Sequence, residues 1–446
     1  MSLSVDLLAC DKSGQNPETT VKQAFQLGLL ASANLGLAFF SQWYVITQLG
    51  AGMQTDALFA GMTLPQLVLA VISGSLMHVL VPLLAGENEI QVHHDAWGFL
   101  ILTGGLFGLL ATILYIFAPW WIPITVPGFS SAGKELTIEL TRIQLIGMVF
   151  AAANGVQWAA YHARQQFVWA EFTPLLASLV SILLLLWLLP IYGVVAAAWI
   201  STLRMGLQSL LLSPGMGKPV RPNLNSPAVR AAWQRIKPLL LGTAYYKTDP
   251  LMDRFLLSTA NSGSLSLYYL AQQIYGAATQ VINKAIAAPL VPLLSRLHKA
   301  GDKNEFRRIY RQKLLQIGTI SIVGLLLLGI LGQNLLALLI GHGNVSASNI
   351  NELWWIMIWL GGVFVGGVAG QVSSSSFYAI GDTSTPTRLG IYSYTIFIPI
   401  KVASYCSFGI TGLALATSIF VMVNFLLQNF LLMHKFNLIS GNLNDD

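Results

Sequence analysis

Charge is what this sequence has least of. Asp, Glu, Lys and Arg make up 9% of its 446 residues, against roughly 25% in ordinary soluble domains, while 54% are hydrophobic and the mean hydropathy is +0.64. Such a chain has too little polar surface for water, so the reading is an all-α integral membrane protein. Cysteine is scarce as well. Cys10 and Cys406 stand at opposite ends, which excludes a disulfide framework and a thiolate metal site. The first 21 residues are polar and carry Asp6, Asp11 and Glu18, so the basic-then-apolar order of a signal peptide is missing. No nucleophile motif, nucleotide loop or hydrolase pattern occurs, and the seven histidines show no ligand spacing. His78 reads as a hydrogen-bonded structural histidine, with a proton relay as the alternative. These absences point away from an enzyme and toward a transporter without cofactor or metal.

What is present is a succession of apolar runs of about 20 residues, the length that crosses roughly 30 Å of hydrocarbon as a helix. About twelve transmembrane helices are expected, over 23–49, 57–85, 96–121, 139–161, 168–190, 191–213, 237–258, 264–295, 315–341, 351–380, 386–407 and 409–434. With the N-terminus in the cytoplasm, seventeen loop lysines and arginines fall on that side and Lys134 alone on the other, as the positive-inside rule requires. Both termini are therefore placed in the cytoplasm. The net charge of +6 then needs no nucleic acid; the basic runs 218–237 and 296–313 lie against anionic headgroups.

An internal repeat divides the chain. "LVPLL" at 80–84 returns at 290–294, and "YGVVAAAWIST" at 192–202 is echoed by "FGITGLALATS" at 408–418, offsets of 210 and 216 residues. The expected organisation is a cytoplasmic tail (1–22), an N-terminal six-helix half (23–213), a proline-rich linker (214–236), a C-terminal six-helix half (237–435) and a second tail (436–446). Six helices in each half makes the halves parallel repeats around a central cavity.

Charged residues left inside the spans are costly there and mark protein-facing or hydrated positions. Besides Arg204, Arg142 and Glu352, they include Lys247, Lys284 and Lys401, each roughly 15–20 Å from its helix end at 1.5 Å per residue. Three buried ammonium groups need an anionic partner. It is either internal, with Asp249 and Asp253 nearest, or imported, as a phosphate-bearing substrate. Arg254 adjoins them. Gln272 and Gln273, with Tyr268 and Tyr269, suit a sugar. The glycine- and serine-rich run 361–376 permits close packing or bending.

At "GAGMQTDALFAGMTLPQL" the sequence resembles the MurJ/MviN family, bacterial lipid II flippases of the multidrug/oligosaccharidyl-lipid/polysaccharide exporter superfamily. Gly50, Gly52, Thr55, Asp56, Ala57, Leu64 and Pro65 meet the family pattern. "VPGF" at 126–129 and "MDRFLLSTANSGSLSLYYLAQQIYG" at 252–276 extend the resemblance, which runs from about 25 to 435. The resemblance implies a flippase that carries a polyprenyl-diphosphate-linked oligosaccharide to the periplasmic leaflet by alternating access. The cargo is the peptidoglycan precursor or an exopolysaccharide unit. It also implies that Asp56 is a functional acid and that Asp253 and Arg254 match the family's Asp-Arg. The family's arginines in the first and second helices are missing here. Ala271, Gln272 and Gln273 replace its Ala-Asp-Arg, and twelve helices stand in place of a common fourteen.

The substrate-binding set is therefore expected to be Lys247, Lys284, Lys401, Arg254, Gln272 and Gln273. Gating or ion coupling, to H+, Na+ or membrane potential, is expected of Asp56, Asp249 and Asp253. Glycan-synthesis enzymes are candidate partners. Two other readings stay open: an ion-coupled exporter of small cationic molecules, and a non-transporting scaffold for a glycan-synthesis complex. For Asp56 itself a helix N-cap is the alternative to a gate.

Overall fold

The computed structural model describes residues 17–84, 89–217, 245–341 and 343–441. The first 16 residues, the last five, residues 218–244 of and beyond the expected linker, and the side chain of His78 lie outside that description.

The described chain forms fourteen α-helices: α1 Pro17–Leu49, α2 Met53–Gly61, α3 Thr63–Leu84, α4 Glu89–Ile116, α5 Ala118–Thr125, α6 Ser131–Ala163, α7 Phe167–Leu212, α8 Asp249–Leu257, α9 Ser264–Ile282, α10 Ala288–Lys299, α11 Lys303–Ile340, α12 Ala347–Trp359, α13 Gly361–Ala379 and α14 Ser384–Gly441. A π-helical turn, Asn283–Ala287, joins α9 to α10, and no strand occurs among the described residues. Helices are the expected answer to so apolar a sequence. Each backbone N–H and C=O in hydrocarbon must be satisfied within its own segment.

Six of these helices are long and apolar enough to cross a bilayer, or eight if each of two bent pairs is one span. Two runs are far too long for one crossing: α7 has 46 residues and α14 has 58. Both fold back on themselves. The Trp169 indole donates to the carbonyl of Leu211 at 3.2 Å, although a straight helix would hold those residues roughly 60 Å apart. Lys435 likewise pairs with Asp382, next to the other end of α14. The reversals occur at Gly193 (φ 61°, ψ −145°) and Gly409 (φ 59°, ψ −138°). That backbone region is essentially closed to residues with a Cβ.

These two glycines are 216 residues apart, the offset of the second sequence echo. Ser130 and Ser346 share it. Each caps a helix by accepting from the backbone N–H three residues on, Gly133 and Asn349, at 3.2 Å. In the "LVPLL" echo, Leu80 and Leu84 are buried, and so are Leu290 and Leu294.

The glycine run both packs and bends. α12 and α13 meet at 40° beside Gly361, and a Cβ on Gly362 would come within 2.7 Å of the Ser418 side chain on the returning arm of α14. The start of the expected linker is pinned: Arg164 donates to the Gly215 carbonyl at 2.6 Å and Trp97 to that of Met216 at 2.9 Å. One core joins the N-terminal helices α1–α7 to the C-terminal helices α8–α14, with Ile46, Phe59 and Leu140 in the same cluster as Leu267, Tyr268 and Leu413.

Candidate functional site

The N-terminal and C-terminal helices are tied together at the end of the molecule that carries the Leu49–Met53 turn. Asp56, on the first turns of α2, is 3% exposed. Its carboxylate accepts from the backbone N–H of Gly263 at 2.6 Å, from that of Ser266 at 2.8 Å, and from the Ser266 hydroxyl. These donors open α9, where the positive end of the helix dipole favours an anion. Asp56 therefore does cap a helix, but not its own. The first turn of α2 is served by Thr55, whose hydroxyl accepts from Gly52 N at 3.0 Å. Gly263 has φ 95°, and a Cβ there would meet the Ala51 carbonyl at 2.7 Å, so both its conformation and the close approach require glycine.

Around this cap the seam is continuous. Asn344 donates its backbone N–H to Thr47 O at 2.7 Å and its side chain to Gln48 O at 2.5 Å. Gly128 N donates to Ser258 Oγ at 3.3 Å and Trp43 to Leu339 O at 2.9 Å, and the Ser266 and Thr55 hydroxyl oxygens stand 2.9 Å apart.

Beneath the seam lies a buried charge network. Arg254 is 4% exposed, donates to Thr63 Oγ1 at 3.3 Å and stands 5.1 Å over the Tyr269 ring. Tyr269 in turn stacks on Phe59 at 4.4 Å and accepts from Gln42 at 3.4 Å. Asp56 and Asp253 both act electrostatically on Arg254. Lys401 is fully enclosed, its ammonium 2.6 Å from Asp249 and 2.7 Å from Asp253. Gln272 donates to the other oxygen of Asp253 at 3.3 Å. A charge with no contact to water must be paired, and the two acids four residues apart on α8 supply both partners.

This corrects the expectation of a three-lysine cationic cavity. Lys401 is neutralised inside the C-terminal helices. Lys247, partly exposed, reaches the Ala70 carbonyl at 3.4 Å. Lys284 is exposed on the π-helical turn and acts electrostatically on Glu171 of α7. Gln273 is half-buried next to Gln272. Tyr268 and Tyr269 are packed rather than presented, with Tyr268 hydrogen bonded to Thr417 at 3.3 Å.

Two cavities flank the network. One, of about 190 Å³, lies among α1, α2, α3, α6 and α7 and is lined by Gln42, Gln66, Gln144, Ser181 and Arg204. The other, of about 320 Å³, is an apolar groove between Phe39, Phe40 and Trp43 of α1, Leu270 and Ile274 of α9, and Leu336 and Leu339 of α11. Spacing singled out neither Ser266 nor Gln144. Arg204 had a visible signal, as the one basic residue in an apolar run of 46 residues.

Comparison with known proteins places the chain. The family model for the lipid II flippase MurJ matches residues 45–444. A probable lipid II flippase MurJ of Vibrio cholerae is 23% identical over 435 residues, covering 91% of this chain and 82% of its own. The lipid II flippase MurJ of Burkholderia cenocepacia is 23% identical over 405 residues, covering 85% and 77%. Among solved structures, a lipid II flippase MurJ in an inward closed conformation superposes with a TM-score of 0.80 at 18% identity, over 93% of this chain and 90% of that one. An inward-facing multidrug transporter of the MATE family gives 0.76 at 16% identity, over 94% and 99%; an outward-facing one gives 0.63. The fold is that of MurJ- and MATE-like transporters, of which no catalytic activity is indicated. With its long apolar helices and a family model that spans most of its length, the chain is a multi-pass bacterial membrane transporter and belongs to the MurJ lipid II flippase family.

Proposed function

We propose that this protein flips a polyprenyl-diphosphate-linked oligosaccharide, lipid II or a related glycan carrier, from the cytoplasmic to the periplasmic leaflet by alternating access. The observation that carries this reading is the Asp56 cap: an acid of the N-terminal helices holds the N-terminus of a helix in the C-terminal set, closing one end of the molecule. Two six-helix halves, twelve spans in all, supply the rocking bodies. The folded-back α7 and α14 count as two spans each, and the shared 216-residue offset of Gly193/Gly409 and Ser130/Ser346 supports parallel repeats. The loop lysines and arginines put both termini in the cytoplasm, so the sealed end faces the periplasm. The better superposition on inward than on outward conformations supports that sidedness.

Opening to the periplasm requires Asp56 to release Gly263 and Ser266 and the glycine-lined seam to part. The apolar groove between α1, α9 and α11 suits the polyprenyl tail, and Lys284 and Lys247 stand on the path of the diphosphate. The Asp249–Lys401–Asp253 group is the coupling element. It is charged, its Lys401 and Asp253 are buried while Asp249 is 21% exposed, and the adjacent Arg254 acts electrostatically on Asp56, so a proton, Na+ or the membrane potential acting there would reach Asp56 through one residue.

The test is purified protein in liposomes with a fluorescent lipid-linked sugar. Transfer between leaflets that is lost on Asp56→Ala supports the proposal. Inactivity with every lipid-linked sugar contradicts it and favours the scaffold.

A further inference from the structure

Arg142 of α6 is a cation on an otherwise apolar outer surface. Its Nε donates to the carbonyl of Tyr115, at the end of α4, at 3.2 Å, and its guanidinium lies 4.8 Å over the Tyr115 ring. Both terminal nitrogens are left without a hydrogen bond or ion pair among the described residues. Arg164, just past the other end of α6, follows 22 residues later, roughly 33 Å along the helix and about one hydrocarbon thickness. Arg142 therefore stands where hydrocarbon meets headgroups at the Asp56 end of the molecule, beside α2, whose Leu58 carbonyl accepts from Gln144. A long side chain at that depth holds its charge in the polar layer.

On the hydrocarbon side of Arg142 a groove of about 560 Å³ runs between α6 and the returning arm of α7. Ile146, Phe150, Trp199, Leu203 and Leu210 line it and are exposed. Gly206 keeps it open, since a Cβ there would rest on the Phe150 ring at 3.6 Å. From Arg142 to Gln157, farther along the groove, is 15 residues, roughly 22 Å, which accommodates one acyl chain of a leaflet about 15 Å deep. On the other side of Arg142, one turn away from the groove, stands Glu139, exposed and with no ion pair to it. Spacings of three and four put Glu139, Arg142, Ile146 and Phe150 on one helix face, in the order acid, base, hydrocarbon. A phospholipid with an amine-bearing headgroup presents the complementary order: ammonium outermost, phosphate beneath it, then acyl chain. A guanidinium matches the phosphate oxygens. The carboxylate of Glu139 repels a headgroup with net negative charge and accepts from an ammonium N–H.

We propose that this groove is a fixed seat for a bilayer phospholipid of the phosphatidylethanolamine type. Its phosphate lies on Arg142, its ammonium on Glu139 and one acyl chain along Ile146, Phe150 and Leu203. The seat stands apart from the flippase reading, because it opens on the lipid-facing side of α6, whereas the 190 Å³ cavity meets that helix at Gln144, Gly147 and Ala151. A lipid held there ties α4, α6 and the returning arm of α7 together from outside.

Native mass spectrometry of the detergent-purified full-length protein tests it, with phosphatidylethanolamine, phosphatidylcholine and phosphatidylglycerol of the same acyl chains added in turn. Phosphatidylethanolamine is expected to be held most tightly. Arg142→Gln should weaken that binding about tenfold or more, as loss of a charged hydrogen bond implies. Gly206→Leu, which fills the groove without touching the Arg142 bond to Tyr115, should weaken it as well. Glu139→Gln should keep phospholipid bound and erase the preference for phosphatidylethanolamine over phosphatidylglycerol. Added phosphatidylethanolamine should raise the melting temperature of the wild type and leave that of Arg142→Gln unmoved, a difference that an arginine serving only to cap α4 would not produce. Binding that both Arg142→Gln and Gly206→Leu leave unchanged overturns the site. Phosphatidylglycerol held as tightly as phosphatidylethanolamine, with Glu139→Gln silent, overturns the headgroup assignment. Displacement of the phosphatidylethanolamine, one for one, by a polyprenyl-diphosphate-linked sugar overturns the proposal in favour of a groove for the transported lipid.

Discussion

Asp56→Asn keeps one acceptor for the α9 N-terminus and loses the charge. Hydrogen bonds to charged groups contribute about 1.5–3 kcal/mol each, and a factor of ten in rate corresponds to about 1.4 kcal/mol. Flipping by Asp56→Asn should therefore fall about tenfold or more, with Asp56→Ala lower still; an Asn variant as fast as the wild type would leave the cap without a role. Lys401→Met should behave differently. Removing one partner of a fully buried pair costs about 3–5 kcal/mol, here with two carboxylates left behind, so its melting temperature in detergent should drop sharply. Adding Asp253→Asn to Lys401→Met should recover part of the loss. At this scale the sequence told half the story. The identities of Asp56, Asp249, Asp253 and Arg254 were legible because charge is rare in an apolar run. Their partners were not: Asp56 meets Ser266 across 210 residues, and Lys401 meets Asp249 across 152, contacts set by how helices pack and by nothing in local spacing.

The helices show where periodic reading works and where it fails. Apolar length marked the long helices, yet 168–190 and 191–213 came out as one run of helix with a single glycine at the reversal, as did 386–407 and 409–434. Hydropathy sees polar loops, and a one-residue turn has none. Gly193→Ala and Gly409→Ala each put a Cβ into a backbone conformation that costs of order 1–3 kcal/mol. Each should lower thermal stability by a similar amount, since the two turns are equivalent; a large effect at one and none at the other would contradict that equivalence. The α14 hairpin has a second tie outside the membrane. Burial pushes the Asp382 carboxyl up, but Lys435, the Thr385 hydroxyl and backbone and the Ser384 hydroxyl outweigh burial and hold it well below the usual carboxylate range. A depressed value adds stability above the ordinary 3.8 and loses it as the pH falls through the folded value. Asp382→Asn should therefore melt below the wild type at pH 7, and the gap should narrow toward pH 3.

For the molecule as a whole, two short echoes in the sequence point to a repeat, and the 216-residue offset of one of them also separates the helix caps at Ser130 and Ser346. What the sequence could not say is how the repeats close against each other, because that depends on glycines such as Gly263 and Gly128, whose lack of a side chain lets backbones meet. The central claim is that the Asp56 end opens and closes during transport. The most direct measurement is flipping by a variant that can be locked there: Thr55→Cys with Ser266→Cys, whose hydroxyls stand 2.9 Å apart, in a background with Cys10 and Cys406 changed to serine. The account predicts that oxidation abolishes transfer of a lipid-linked sugar and that reduction restores it. Full activity with the disulfide formed would contradict it.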